Sequence, residues 1–210
     1  MKKLLFLLLI VAAAYFSKPE LFMFSEKGAF DSDDNPQVWL FTFDDCGKPC
    51  DSIASMLDKR VEYTEFNAYD EIGKQYLQKV GGSQGFPLTV IGKQKVLGSD
   101  TMKILSTLAE VIGSDTLTSS EQSVMTGHFY EDDTPAIVMY GASWCGYCKK
   151  MRNYFEENGI DYTELDAENE AKDAFATLKG NGFPLIYIGY RRISGANIKQ
   201  VEQIINEYNI

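Results

Sequence analysis

Positive charge is in deficit in this 210-residue chain, which carries 20 Lys and Arg against 30 Asp and Glu, a net charge of −10. That balance argues against nucleic acid as a partner, because phosphate backbones attract basic surfaces. A solvated acidic surface that favours solubility is its simplest consequence. Long apolar runs are scarce too. The longest, Leu4 to Phe16, falls short of the about 20 residues of a membrane-spanning helix, unless Leu21 to Phe24 extend it past the polar break at Ser17-Lys18-Pro19-Glu20. No cysteine precedes Cys46, which excludes a lipid-modified N-terminal cysteine. Histidine is nearly missing: His128 stands alone, in a polar stretch where it is expected to be solvated. Hydrophobic content of 45% and aromatic content of 13% fit neither disorder nor a fibrous repeat. The length leaves room for one large domain or two small ones.

The first residues are informative. Lys2 and Lys3 precede the apolar run, and Ala12-Ala13-Ala14 supplies small residues near its end. A basic n-region, a short apolar h-region and small residues describe a secretory signal peptide, with cleavage expected after Ala14. An uncleaved N-terminal membrane anchor over residues 4–16 is the alternative. Either way Lys2 and Lys3 hold the N-terminus inside and send the rest across. The expected location is extracytoplasmic, periplasmic or secreted, where thiols can be oxidised.

The chain repeats itself. Val61-Glu62-Tyr63-Thr64-Glu65-Phe66 recurs as Ile160-Asp161-Tyr162-Thr163-Glu164-Leu165, and Gly85-Phe86-Pro87-Leu88 recurs as Gly182-Phe183-Pro184-Leu185. Gly98-Ser99-Asp100 matches Gly195-Ala196-Asn197, and a cysteine pair opens each copy. Four features in one order at nearly constant offset mark a duplication. Each copy reads β-α-β-α-β-β-α, an α/β layer structure. The expected organisation is a signal or anchor over 1–16, a linker over 17–36, a first domain over 37–114, a linker over 115–134 and a second domain over 135–210. Asn197 is a suitable N-cap for the last helix.

The chemistry concentrates in Trp144-Cys145-Gly146-Tyr147-Cys148-Lys149-Lys150, directly after a strand and opening a helix. A thiol at a helix N-terminus faces unsatisfied N–H groups and the positive end of the dipole, which favour thiolate. Two intervening residues place the second sulfur one turn along, within disulfide reach. Cys148 shares an apolar stripe with Met151 and Phe155, so it is expected to be the more buried. Cys145 then attacks a partner disulfide and Cys148 resolves the mixed disulfide.

This motif with its preceding strand, the later Phe183-Pro184 and the Gly195-Ala196-Asn197 turn resemble the glutaredoxin branch of the thioredoxin-fold proteins over nearly all of 135–210. The resemblance implies two tandem thioredoxin-like domains, a thiol–disulfide oxidoreductase activity and a cis proline at Pro184 whose loop holds the substrate backbone. Tyr147, Phe183, Pro184, Gly195 and Asn197 are the substrate-binding positions it implies, with Phe86 and Pro87 as the equivalent loop of the first copy. It implies no tightly bound cofactor, no metal, glutathione as a co-substrate, and protein or small-thiol disulfides as substrates. The chain departs from the glutaredoxin pattern in having Gly146-Tyr147 between the cysteines, Ala142-Ser143 ahead of them and Phe183 before the proline. Gly-Tyr also resembles the pair of secreted disulfide isomerases. Met139 stands where thioredoxins carry a buried acid.

The first copy has Cys46-Gly47-Lys48-Pro49-Cys50, with three residues between. Aligning Cys50 with Cys148 puts Ile53, Met56 and Leu57 at the offsets of Met151, Tyr154 and Phe155, so Cys46 is the displaced member. Asp44 and Asp45 beside it disfavour a thiolate. A second redox pair and a structural or degenerate pair are both open readings at this point. So are two alternatives for the whole protein: a non-catalytic adaptor stapled by structural disulfides, and a metal or iron–sulfur carrier, which with zinc would draw on all four cysteines.

Overall fold

The computed structural model describes residues 27–210; the expected signal or anchor over 1–16 lies outside them. The first unit runs β1 (Val38–Thr42), α1 (Lys48–Leu57), β2 (Thr64–Asn67), α2 (Glu71–Lys79), β3 (Leu88–Ile91), β4 (Gln94–Leu97) and α3 (Thr101–Val111). A 3₁₀ turn at Ser114–Thr116 and the helix α4 (Ser119–Thr126) lead into the second. That unit repeats the order: β5 (Ile137–Gly141), α5 (Gly146–Glu157), β6 (Thr163–Asp166), α6 (Lys172–Thr177), β7 (Leu185–Ile188), β8 (Arg191–Ser194) and α7 (Ile198–Tyr208).

Each sheet has four strands, in the orders β2-β1-β3-β4 and β6-β5-β7-β8. β1 pairs parallel with β2 and antiparallel with β3, and β5 does the same with β6 and β7. Val38–Thr42 and Ile137–Gly141 are buried along their whole length. A strand covered on both faces reads as a continuous apolar run, which both do. The protein is therefore two tandem thioredoxin-like α/β units, each with the expected β-α-β-α-β-β-α order.

The duplication begins earlier than the linker boundaries suggest. Phe30 bridges to Pro36 and Phe129 to Pro135, and each arm packs beside the turn glycine of its unit, Gly92 or Gly189. Ala29 N–H donates to Gly92 O, Gln37 N–H to Ala29 O and, in the second arm, Ala136 N–H to His128 O. Asp34 and Asp133 both take a positive φ at the tips of these arms. The stretch read as a linker over 115–134 also contains α4, opened by a capping box in which Thr118 and Glu121 bond each other's backbone. His128 is not solvated. It is fully buried, stacked on Tyr187 at 4.4 Å and hydrogen-bonded through Nε2 to the Tyr140 hydroxyl at 3.0 Å.

The two units share a core. One apolar cluster runs from Val38, Leu40 and Ile53 through Leu105 and Leu108 to Val138, Tyr140 and Tyr187. The helix α3 accounts for this, because residues Met102 and Ile104 to Ala109 are all buried. A helix that is apolar almost all round has to be covered all round. By contrast α7 buries only Val201 and Ile204. Charged contacts close the seam. Arg191 Nε lies 2.7 Å from the Glu110 carboxylate, and Arg60 Nη1 lies 2.8 Å from Glu121 Oε2. The buried Arg192 donates to Leu178 O at 2.9 Å and Tyr187 Oη at 3.0 Å. Its Nε lies 3.4 Å from Asp100 Oδ2, an ion contact without hydrogen-bond alignment.

Candidate active site

Cys145 is the N-cap of α5, and its Sγ accepts the Cys148 N–H at 3.0 Å. The sulfur therefore occupies the place where a capping oxygen usually sits, facing the orphan N–H groups of the first turn. Cys145 is 5% exposed and Cys148 0%, on the inward stripe with Met151 and Phe155. The two are joined in a disulfide with a Cα–Cα separation of 5.2 Å. Lys149 and Lys150 point to solvent.

Around the pair the surface is aromatic. Trp144 is 70% exposed and its Nε1 donates to Glu168 Oε2 at 2.8 Å. Its ring meets Phe183 edge-on at 5.9 Å, and Phe183 meets Phe175 at 5.1 Å. Tyr147 is exposed beside it. Phe183 also packs on the cluster that holds both cysteines. The Phe183–Pro184 peptide is cis, and Gly195 N–H donates to Pro184 O at 2.8 Å, tying the glycine turn to the proline loop. Asn197 is the N-cap of α7, accepting the Gln200 N–H.

The first unit keeps the frame and changes the sulfur. Phe86–Pro87 is cis, and Gly98 N–H donates to Pro87 O at 2.8 Å. Cys46 and Cys50 form a disulfide with a Cα–Cα separation of 5.8 Å. Here Gly47, at φ +65°, is the N-cap of α1, with no side chain capping the helix. Cys46 thus lies one residue outside the position that Cys145 holds, while Cys50 keeps the buried position on the helix. Asp44 is held by Asn67 Nδ2 at 2.9 Å. Phe43, Tyr69 and Phe86 form a triangle of rings about 6 Å apart beside this pair.

One charged pair near Cys148 has no counterpart among the residues singled out from the sequence. Arg152, on α5, grips Glu164, on β6, with Nη2–Oε1 at 2.6 Å and Nε–Oε2 at 2.7 Å, and donates to Ala142 O at 3.1 Å. The hydrogen bond to Glu164 pushes the Arg152 guanidinium pKa up, and burial followed by the Glu164 charge pushes up the nearby Tyr162 phenol. Only the recurrence of Glu65 as Glu164 pointed towards this position.

Residues 137–193 match the family model described as glutaredoxin. A glutaredoxin of Pseudomonas aeruginosa is 29% identical over 66 residues, covering 30% of this chain and 79% of that protein. A thioredoxin of Borreliella burgdorferi is 38% identical over 47 residues, covering 20% of this chain and 40% of the thioredoxin, well under two thirds of its length. Among solved structures, a buckwheat glutaredoxin–glutathione complex aligns with a TM-score of 0.31 at 17% identity, over 44% of this chain and 90% of that one. The family match lies wholly within the second unit, which is the glutaredoxin-like one.

Proposed function

We propose that the protein is a thiol–disulfide oxidoreductase working outside the cytoplasm, with Cys145 attacking and Cys148 resolving. The observation that carries this reading is the position of Cys145. Its sulfur caps α5 and already accepts the Cys148 N–H at 3.0 Å, a setting that favours thiolate over thiol. Substrates are disulfides of proteins or small thiols, glutathione among them. In this reading Tyr147, Phe183, Pro184, Gly195 and Asn197 bind the substrate, and Trp144, exposed and edge-on to Phe183, adds a ring beside them. The second unit's likeness to glutaredoxins supports the chemistry, and the basic-then-apolar N-terminus supports the location. That terminus is a signal or an anchor. No helix among the described residues is long and apolar enough to cross a membrane.

The first unit acts in this reading as the structural partner of the second. Cys46 stands outside the helix cap, beside Asp44 and Asp45, so its thiolate lacks the stabilisation that Cys145 has. Cys145→Ser is expected to abolish turnover of a mixed glutathione disulfide substrate, while Cys148→Ser accumulates a covalent enzyme–substrate adduct visible by mass spectrometry. Full turnover in both variants would overturn the proposal and favour the non-catalytic adaptor.

A further inference from the structure

Gly141, the last residue of β5, is where a carboxylate and a sulfur meet. A β-carbon there would lie 2.9 Å from Glu164 Oε1 and 3.3 Å from Cys148 Sγ. A side chain there would crowd both groups, and glycine leaves the space beside them open. The first unit shows the contrast. Thr42 holds the position of Gly141, and its hydroxyl donates to Glu65 Oε1 at 2.7 Å, so the equivalent carboxylate is occupied. Ala54 stands where the second unit has Arg152. The second unit therefore differs from its own duplicate in two linked ways, a cleared path and an arginine, and both act on a glutamate that the two copies share.

We propose that Glu164 is the proton acceptor for Cys148, with Arg152 as its positioning residue. The proposal rests on the thiol-exchange reading above and adds to it the fate of the second thiol's proton. Cys148 is fully buried, and burial disfavours a thiolate, so the resolving step gains from a base held inside the protein. In the mixed disulfide the substrate sulfur is bonded to Cys145. The Cys148 S–H gives its proton to the Glu164 carboxylate, and the sulfur's electron pair forms the bond to Cys145 Sγ. The bond between Cys145 and the substrate breaks, and the substrate sulfur leaves with its electron pair. The proton on Glu164 then passes to that thiolate or to water. The two enzyme thiols are oxidised to a disulfide and the substrate disulfide is reduced to two thiols. In reverse, Glu164 protonates Cys148 as it leaves.

Among the described residues the titratable groups beside Glu164 include Asp166, two positions on along β6 and opposite Gly141, whose carboxylate accepts from Glu168 N–H and Asn169 Nδ2. Arg152 reaches Glu164 from α5, and Tyr162 lies two residues before it, with Glu156 of α5 acting on Tyr162 electrostatically. From β5 the neighbours are Met139, paired with Glu164 in the strand register, and Gly141. Neither titrates.

The test separates the two thiols by time. Reduced protein carrying Cys46→Ser and Cys50→Ser is mixed with the aromatic disulfide 5,5′-dithiobis(2-nitrobenzoate). Attack by Cys145 releases one coloured thiolate, and resolution by Cys148 releases the second. With Glu164→Gln the first phase is expected to stay within about twofold, while the second slows by about 100-fold at pH 6. The second phase then gains a tenfold dependence per pH unit that the parent protein lacks. An unchanged second phase would overturn the assignment while leaving the exchange reading intact. Equal slowing of both phases would do the same, marking Glu164 as structural. If the parent protein itself shows no paired release, the exchange reading falls first.

Discussion

His128 offers a test of the shared core through acid. It is fully buried, packed flat on Tyr187 and bonded to Tyr140. Burial pushes its imidazole from 6.5 down to about 3. The folded protein therefore holds His128 neutral across a range in which the unfolded chain protonates it. Above pH 6.5 both states are neutral and the group gives no pH dependence. As pH falls below 6.5 the unfolded state binds a proton the folded state refuses, and stability is lost, down to the folded value near 3. Each pH unit in that window corresponds to about 1.4 kcal/mol, so roughly 3 kcal/mol is lost between pH 6.5 and 4.5. The clean comparison is His128→Gln, which keeps a polar side chain and cannot titrate. The variant is expected to be less stable at pH 7, by about 1–2 kcal/mol, for loss of the ring stack. Urea unfolding at half-unit steps should then show the parent protein losing that advantage and falling below the variant by pH 4.5. Carboxylates titrate in the same range. Glu121, for example, is pushed up by burial and then brought below its usual value by Arg60 and Thr118. Such groups are common to both proteins and cancel in the difference. Parallel pH curves for the two proteins would refute the reasoning.

Arg192→Leu removes the donors that satisfy Leu178 O and Tyr187 Oη inside the seam. Asp100 is partly exposed and is not stranded, so the expected loss is about 2 kcal/mol, read as a lower urea midpoint. A loss below about 0.5 kcal/mol would mean water replaces the arginine. For the first pair, reduced Cys46 is expected to alkylate with iodoacetamide at least about tenfold more slowly than Cys145 at pH 7, because it lacks the cap position. Equal rates by mass spectrometry would remove the distinction between the units.

The sequence showed most where the pattern is local. Alternating strand and helix signals, the paired Phe-Pro and glycine turns, and the strand–Cys–helix junction depend on neighbours within a few residues, and the β-α-β-α-β-β-α order follows from them. Asn197 caps α7 as its chemistry suggests. What was missed depends on distant partners. The arms 29–36 and 128–135 are acidic and polar, which reads as linker, yet Phe30 and Pro36, like Phe129 and Pro135, repeat at one spacing and pair. His128 is buried by Tyr140 and Tyr187, one of them nearly sixty residues away in the chain. The α4 helix is eight residues long, and its Thr-x-x-Glu opening was its main local signal. Glu164 looked like one half of a repeated strand, because its importance lies in the side chain missing at Gly141.

The places where the two copies differ follow from the way they join. Gln94 and Arg191 are equivalent positions in β4 and β8, and they meet, with Arg191 Nη1 donating to Gln94 Oε1 at 3.1 Å. Glu110 and Glu207, also equivalent, flank the same arginine, at 2.7 and 3.7 Å. Had both copies kept an arginine there, two guanidinium groups would share one half-buried site; had both kept a glutamine, two carboxylates would lack their cation. One copy has to be charged and the other neutral. Divergence at this seam is thus required by fusing two similar units through one core, and it says nothing about catalysis. Divergence at Gly141, Arg152 and the cap cysteine lies away from the seam, beside the second unit's sulfur. Its explanation has to be sought in the chemistry of that sulfur.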